Sequence, residues 1–452
     1  MKIPNSDARV HVLDQNSDVW TVIRDIASRA HQEDAFYVMN IGEIINKYDQ
    51  WTSKLPRVTP HYAVKCNDSL AVLETLNALG ANFDCASKGE INKVLELGVE
   101  PERIIFANPA KPSSHVRFAA SVGVQTMTFD SENELHKIKN LYPDAKMVIR
   151  IRCDAAEVQC QLGNKFGCDP VAEAPGLLRV ARSLDLDVVG VSFHVGSGCR
   201  EPPVFRRAIA AAKDVFEFAK TLGYEFSLLD IGGGYPGGRG TTIDEIAEIV
   251  NSALDAHFPD ESVSVIAEPG RFFVCSAYTL VCNIHSIRNV IRTNEETGTT
   301  GTHRMYYIND GVYGSFNCIL YDHQVVVPQP LEERSGAKYY ESSIWGPTCD
   351  GLDQVIESAV LPDMKIGDWI VFEDMGAYTL PVASPFNGFP IPTVHIVIEE
   401  NMRLIVDDMF DLTDGHFEML RIPDNLKNEN DTPYKLPTFP IQVGDSILDY
   451  VN

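Results

Sequence analysis

Residues 59–107 read TPHYAVKCNDSLAVLETLNALGANFDCASKGEINKVLELGVEPERIIFA. Three short apolar runs, Thr59–Val64, Asn82–Cys85 and Ile104–Ala107, alternate with two stretches of helical periodicity, Ser69–Leu79 and Lys88–Leu97. That order is the signature of parallel strand–helix–strand units. The alternation continues through strand-like Gln125–Phe129, Met147–Arg152, Val188–His194, Ser227–Asp230 and Val263–Ala267, with helix-like Ser131–Leu141 and Pro203–Leu222 between them. Ser131 followed by Glu134 reads as a capping box that starts one helix. Eight strands alternating with helices predict a (β/α)8 TIM-like barrel rather than an open sheet.

Beyond Arg271 the pattern changes. Phe272–Ser276, Met305–Ile308, Trp369–Phe372 and Thr393–Ile398 read as strands joined by turns, with few good helices. The expected organisation is an α/β barrel over residues 36–271, and a second, mostly antiparallel β domain built from 1–35 and 272–423. A polar tail, 424–452, is expected to be loosely ordered. Arg292–Thr302 reads as a polar loop insertion.

The 452 residues carry a formal charge of −25, which argues against nucleic acid and anionic membranes as partners and suits a cationic small molecule. Ten cysteines without a CxxC pair give no metal knuckle or redox motif, so no metal is expected, and they point to a reduced, cytoplasmic protein. The N-terminus lacks the pattern of a signal peptide, and no apolar run reaches the ~20 residues a membrane span needs. The N-x-S/T matches at Asn67 and Asn430 are read as chance.

Polar residues gather where strands end. Lys65, Asp84, Asn108, Asp130, Arg150, His194, Gly232 to Gly234 and Glu268 each lie at or just past the C-terminal end of a predicted barrel strand, the face where barrels build active sites. Asp230-Ile-Gly-Gly-Gly-Tyr235 follows strand seven and Glu268-Pro-Gly-Arg271 follows strand eight, the usual place for a phosphate. Successive glycines let backbone N–H groups approach an anion, and Arg271 adds charge-assisted bonds. A lysine aimed into the barrel mouth, as Lys65 is, is expected to lose its proton by desolvation and act as an amine nucleophile. Cys349 sits in a turn-rich loop, where the alternatives are a buried small hydrophobe and a hydrolase nucleophile, and nothing near it supplies a partner for the second.

The segments YAVKCN, FDCAS, SFHVGSGC, DIGGGYPG, EPGR, NDGVYGSFNCILYDH, WGPTCDGLD and GAYT together resemble the eukaryotic ornithine decarboxylase family, fold-type III pyridoxal-phosphate enzymes of the group IV decarboxylases. The likeness runs in matching order from about residue 30 to 400. It implies decarboxylation of L-ornithine to putrescine, with pyridoxal 5'-phosphate as cofactor. Lys65 resembles the Schiff-base lysine, His194 the residue stacking on the pyridine ring and Glu268 the partner of its nitrogen. Ser197, Gly232, Gly233, Gly234, Gly270, Arg271 and Tyr378 resemble the phosphate-binding set, with Asp84 and Arg150 near the cofactor.

The resemblance also implies a homodimer with shared sites. Cys349 looks like the residue that returns a proton to carbon, and Asp350 like its neighbour on the substrate's distal amine. Tyr313, Tyr321 and Asp322 resemble the segment that reads side-chain length, and Phe386 another pocket position. Lys165 and Asp353 resemble an intersubunit ion pair, and Lys111–Glu134 the element that binds antizyme. Arg152, Gln161 to Asn164 and Pro385 depart from the vertebrate pattern. Two alternatives stand beside this reading: a non-catalytic antizyme-binding homologue, and a decarboxylase of lysine or another basic amino acid.

Overall fold

The computed structural model describes residues 10–14, 17–293, 300–332, 335–402 and 417–419. The tail expected from residue 424 and the site match at Asn430 lie outside them. Eight parallel strands close into a barrel in chain order: Val58–Ala63, Asn82–Cys85, Ile104–Phe106, Thr126–Phe129, Lys146–Arg152, Asp187–His194, Leu228–Asp230 and Ser264–Ala267. Closure is made by Val265 to Ala267 against Val58 to Pro60. These are the eight runs read from the sequence, because buried parallel strands are apolar on both faces and stand out from the amphipathic helices between them.

Helix caps show where local signals were followed. Ser69 and Ser87 accept from the backbone three residues on and start their helices. Ser131 makes no such bond, so the expected capping box does not form. Its Glu134 turns instead to a stronger demand. Lys111 is fully buried and donates to the carbonyls of Asn108 (3.0 Å) and Thr128 (2.5 Å), with Glu134 at 2.9 Å as counter-ion. Lys137 also pairs with Glu134. Burial pushes the Lys111 ammonium down to about 8 although Glu134 opposes the shift.

The second sheet is mixed. Tyr278–Thr293 is its longest strand and pairs antiparallel with Phe36–Asn40, with Trp369–Phe372 and with Thr300–Ile308. Thr393–Glu399 runs parallel to Phe36–Asn40 and to Val10–Leu13, while Tyr339–Trp345 joins Thr300–Ile308 in parallel and Gln354–Pro362 antiparallel. Phe36–Asn40 therefore lies in this sheet, and the barrel strands run from Val58 to Ala267. The expected loop at Arg292–Thr302 is corrected at both ends, since the ladder continues to Thr293 opposite Thr300.

Phe272–Ser276 is also corrected: Arg271–Val274 is a short helical turn. A short apolar run is read equally well as a strand or a buried helix, and packing decides here. Trp51, from the helix Ile41–Lys54, is fully buried against Tyr235 (4.7 Å between ring centroids), Phe272 (5.6 Å) and Phe273 (6.0 Å). Its indole N–H donates to the carbonyl of Val58 at 2.9 Å. This aromatic cluster seats the glycine-rich turn and Arg271 on the barrel.

Glu134→Ala would leave Lys111 as an uncompensated buried charge. Urea unfolding should show a loss of about 3–5 kcal/mol, and a smaller one for Glu134→Gln, which keeps an acceptor.

Candidate active site

Each polar group arrives from the end of a strand. Lys65 lies in the single turn Val64–Cys66 that follows the first barrel strand, and its ammonium pairs with the fully buried Asp84 from the end of the second. Burial opposes the charge on Lys65, but Asp84 and then Glu268 more than offset it, so the ammonium is held above its ordinary range. The expectation that desolvation alone frees the amine is therefore corrected. Asp84 is the group positioned to hold or take that proton, and burial raises its own proton affinity. Its Oδ1 has no partner.

His194 ends the sixth strand. Its Nδ1 accepts from the N–H of Gly196 at 3.0 Å, and burial, with Arg150 and Lys65 nearby, pushes its proton affinity well down. The ring is neutral at pH 7, a flat apolar surface rather than a cation. Gly233 packs against it so closely that a Cβ there would lie 2.7 Å from His194 Nε2 and 2.9 Å from the Glu268 carbonyl. Gly232 and Gly234 have φ of 63° and 118°, a region closed to most side chains.

Glu268, after the eighth strand, faces Asp230 at the end of the seventh, and both are buried. Burial first, then each other's charge, raises the proton affinity of Glu268 well above the carboxylate range; Asp230 is raised to about 6, mainly by burial. The two are close enough that each alters the other's proton affinity. Asp230 Oδ1 accepts from Gly232 N at 2.9 Å. The sequence assigns Asp230 no role, although its place at a strand end, two residues before a glycine run, is a signal.

Arg271 is 7% exposed. Its Nη2 donates to Asp322 Oδ2 at 2.5 Å and Ser197 Oγ at 3.2 Å, its Nη1 to Gln324 at 3.2 Å, and its plane lies 5.3 Å from the Tyr378 ring. Tyr378 has a left-handed φ of 55° and donates its N–H to the Cys66 carbonyl at 2.9 Å, beside Lys65. Gly270 abuts Cys66, where a Cβ would come within 2.8 Å. Lys65, His194, Ser197, Gly233, Gly234, Glu268, Gly270, Arg271 and Tyr378 line one cleft, with Gly198 and Tyr235. Arg150 stays behind it, stacked 5.4 Å from Phe166. Asn108 and Asp130 serve the scaffold: Asn108 donates to the Ala86 carbonyl and Asp130 accepts from Gly167 N.

Other candidates form a second group outside that cleft. Tyr313 donates to Asp350 and stacks 4.5 Å from Phe386, and the exposed Cys349 is 3.4 Å from Asn387 Oδ1. Tyr321 is 71% exposed. Asp353 is buried, its oxygens accepting from Val312 N, Thr348 N and Thr348 Oγ1, so its carboxylate is used inside its own chain. Lys165 lies over the Phe166 ring. Arg152 is half-exposed beside Asp154, and nothing in the structure explains it further. Asn67 is fully buried and bonded to Gly376, which fits its reading as a chance match.

A carboxyl pair that keeps a proton when folded stabilises at low pH and loses that stabilisation as pH rises through its raised affinity. The pair's contribution to the thermal stability of the cofactor-free protein should therefore fall from about pH 4 through about 6 and, because Glu268 is held higher, beyond; the difference between wild type and Asp230→Asn should show that slope.

The model of the family described as pyridoxal-dependent decarboxylase, pyridoxal binding domain, matches residues 41–275. The ornithine decarboxylase of Rattus norvegicus is 49% identical over 410 residues, 87% of each chain. Antizyme inhibitor 2 of Xenopus laevis is 47% identical over 386 residues, 84% of each. The crystal structure of the Paramecium bursaria Chlorella virus arginine decarboxylase superposes with a TM-score of 0.78 at 39% identity, over 83% of this chain and all of that one. With the cleft at the C-terminal face of the barrel, these likenesses establish that the chain belongs to the pyridoxal-dependent decarboxylase family.

Proposed function

We propose that this protein decarboxylates L-ornithine to putrescine and CO2, as a cytoplasmic homodimer whose two sites are each completed by the partner copy. The observation that carries the reading is the cleft itself: an amine, a buried acid pair and a guanidinium converge on one barrel face. The residues suit pyridoxal 5'-phosphate. Lys65 offers an amine, the glycine turn leaves room that a Cβ would fill, and Arg271 with Ser197 forms an anion subsite whose Nε has no partner.

When bound, the cofactor supplies an electron sink for the pair left on carbon as CO2 departs. Lys65 would hold it through its amine once Asp84 has taken the proton. Glu268, its basicity raised by Asp230, would pair with the ring nitrogen and keep that ring cationic. His194, neutral and clamped by Gly196, would cover one face. Arg271, Ser197 and the backbone N–H groups of Gly233 and Gly234 would bind the phosphate, with Tyr378 against the guanidinium, while Arg150 would add positive potential at the acid end beside Asp84 and His194.

The Tyr313–Cys349–Asp350–Phe386 group supports a shared site, since it lies outside the cleft and is open on its own chain. From a partner copy, Cys349 would return a proton to carbon and Asp350 would meet the distal ammonium, with Asp322 as the acid on the cleft side. The two domains proposed to bring these halves together are 36–271 and 272–423 with 1–35, the strand Phe36–Asn40 pairing with the second of them. Ten unpaired cysteines support a reducing compartment. Likeness to an antizyme inhibitor favours a second role for Lys111–Glu134 as an antizyme-binding surface. A purely non-catalytic reading leaves the retained Lys65, Asp84, His194, Arg271 and Cys349 without a purpose.

The decisive measurement is CO2 release from ornithine, lysine and arginine offered in parallel. Ornithine should give the highest kcat/KM, and no release from any of them overturns the reading. Lys65→Ala should abolish the visible absorbance of covalently held cofactor and lower turnover by at least about 10³-fold. Mixing inactive Lys65→Ala with inactive Cys349→Ala should restore about a quarter of the wild-type activity by random pairing, whereas unshared sites restore none.

A further inference from the structure

Asp322 does not sit loosely at the cleft. Gln159 Nε2 donates to its carbonyl at 2.5 Å and to its Oδ2 at 3.1 Å, while Cys160 Sγ lies 3.6 Å from that carbonyl and 3.7 Å from Oδ1. Arg271 grips Oδ2 from the other side. One amide group thus holds both the main chain and the side chain of a single residue, which fixes how the carboxylate is turned about its Cα–Cβ bond.

Gln159 is itself fixed. It is the middle residue of the strand Val158–Cys160, which pairs antiparallel with Ser197–Cys199, the strand that also presents Ser197 to Arg271. Opposite it stands Gly198, with φ of 62°, where a Cβ would lie 2.7 Å from Gln159 Oε1. A glycine there makes the room the glutamine needs. The choice of amide matters too, because a lysine or arginine would neutralise Asp322, whereas glutamine orients the carboxylate and leaves its charge. Arg271 is then its one cationic partner among the described contacts, and a phosphate on Arg271 would share that guanidinium and leave Asp322 free to attract an ammonium.

We propose that Gln159 is a positioning residue for substrate length, holding Asp322 at a fixed place relative to Arg271 so that a distal ammonium is met at the length of ornithine and missed at that of lysine. The inference rests on the reading above in which Asp322 meets the substrate. A single methylene is ordinarily discriminated about 10–200-fold by a pocket, and only a rigid one reaches the upper part of that range.

The test uses cofactor-loaded wild type, Gln159→Leu, Asp322→Asn and the double variant, with kcat and KM for ornithine and lysine and the visible absorbance of bound cofactor. Gln159→Leu should keep cofactor content and ornithine kcat, raise ornithine KM about 10-fold, and lower the ornithine-to-lysine ratio of kcat/KM by about as much. In the Asp322→Asn background the same change should alter neither, because its effect passes through that carboxylate. Gln159→Met, which keeps the chain length without the donors, should repeat the result if the leucine variant folds poorly. An unchanged ratio in an active enzyme, or an equal effect in both backgrounds, overturns the proposal and leaves the ornithine reading intact. Wild type that decarboxylates neither amino acid overturns both.

Discussion

A buried guanidinium draws acceptors to itself, and Arg271 makes that demand at the junction of two sheets. Its partners come from a barrel loop (Ser197) and from the segment that follows the helix Asn317–Tyr321 (Asp322 and Gln324). Tyr378, from a third segment, covers its face. Losing Asp322, Ser197 or Gln324 would leave a charged donor short of an acceptor at low dielectric. The barrel mouth and the second sheet are therefore registered against each other by the group best placed to bind an anion. Trp51 carries out the apolar half of the task, fixing Phe272 and Phe273 next to that arginine and Tyr235 after the glycine run.

Around this anchor, charge is arranged by position and not by amount. Asp84, Asp230 and Glu268 crowd one end of the cleft, and burial makes three full negative charges there untenable. Lys65 relieves one, and the raised proton affinity of Glu268 favours a proton there that relieves another. The other end holds Arg271 and Ser197. A ligand with a basic ring nitrogen and a distant phosphate meets a complementary gradient along the cleft.

Much of this was legible in the chain. Eight buried parallel strands announce themselves as apolar runs, and polar residues just past their ends mark the working face, so Lys65, His194 and Glu268 could be placed before any coordinates. Three kinds of feature were not legible. Ser131 carried a sound capping signal, but Glu134 was claimed by Lys111, a partner 23 positions away. Phe272–Ser276 looked like a strand because periodicity is silent over five residues; the aromatic cluster around Trp51 made it a turn of helix. Pairwise relations such as Asp230 with Glu268, or Gln159 with Asp322, depend on strand register and on segments more than 160 residues apart meeting.

The ion pair between Lys65 and Asp84 has a kinetic side. The Lys65 amine is held as an ammonium by its own neighbour, which lowers its reactivity toward an aldehyde until that proton moves to Asp84. A phosphate would meet Arg271, on the same cleft, without displacing that pair. A phosphate-bearing aldehyde would then bind in two stages, a salt-sensitive encounter at Arg271 and a proton shift from Lys65 to Asp84. An amine held back until its guest has been seated also reacts less with stray carbonyl compounds that carry no phosphate.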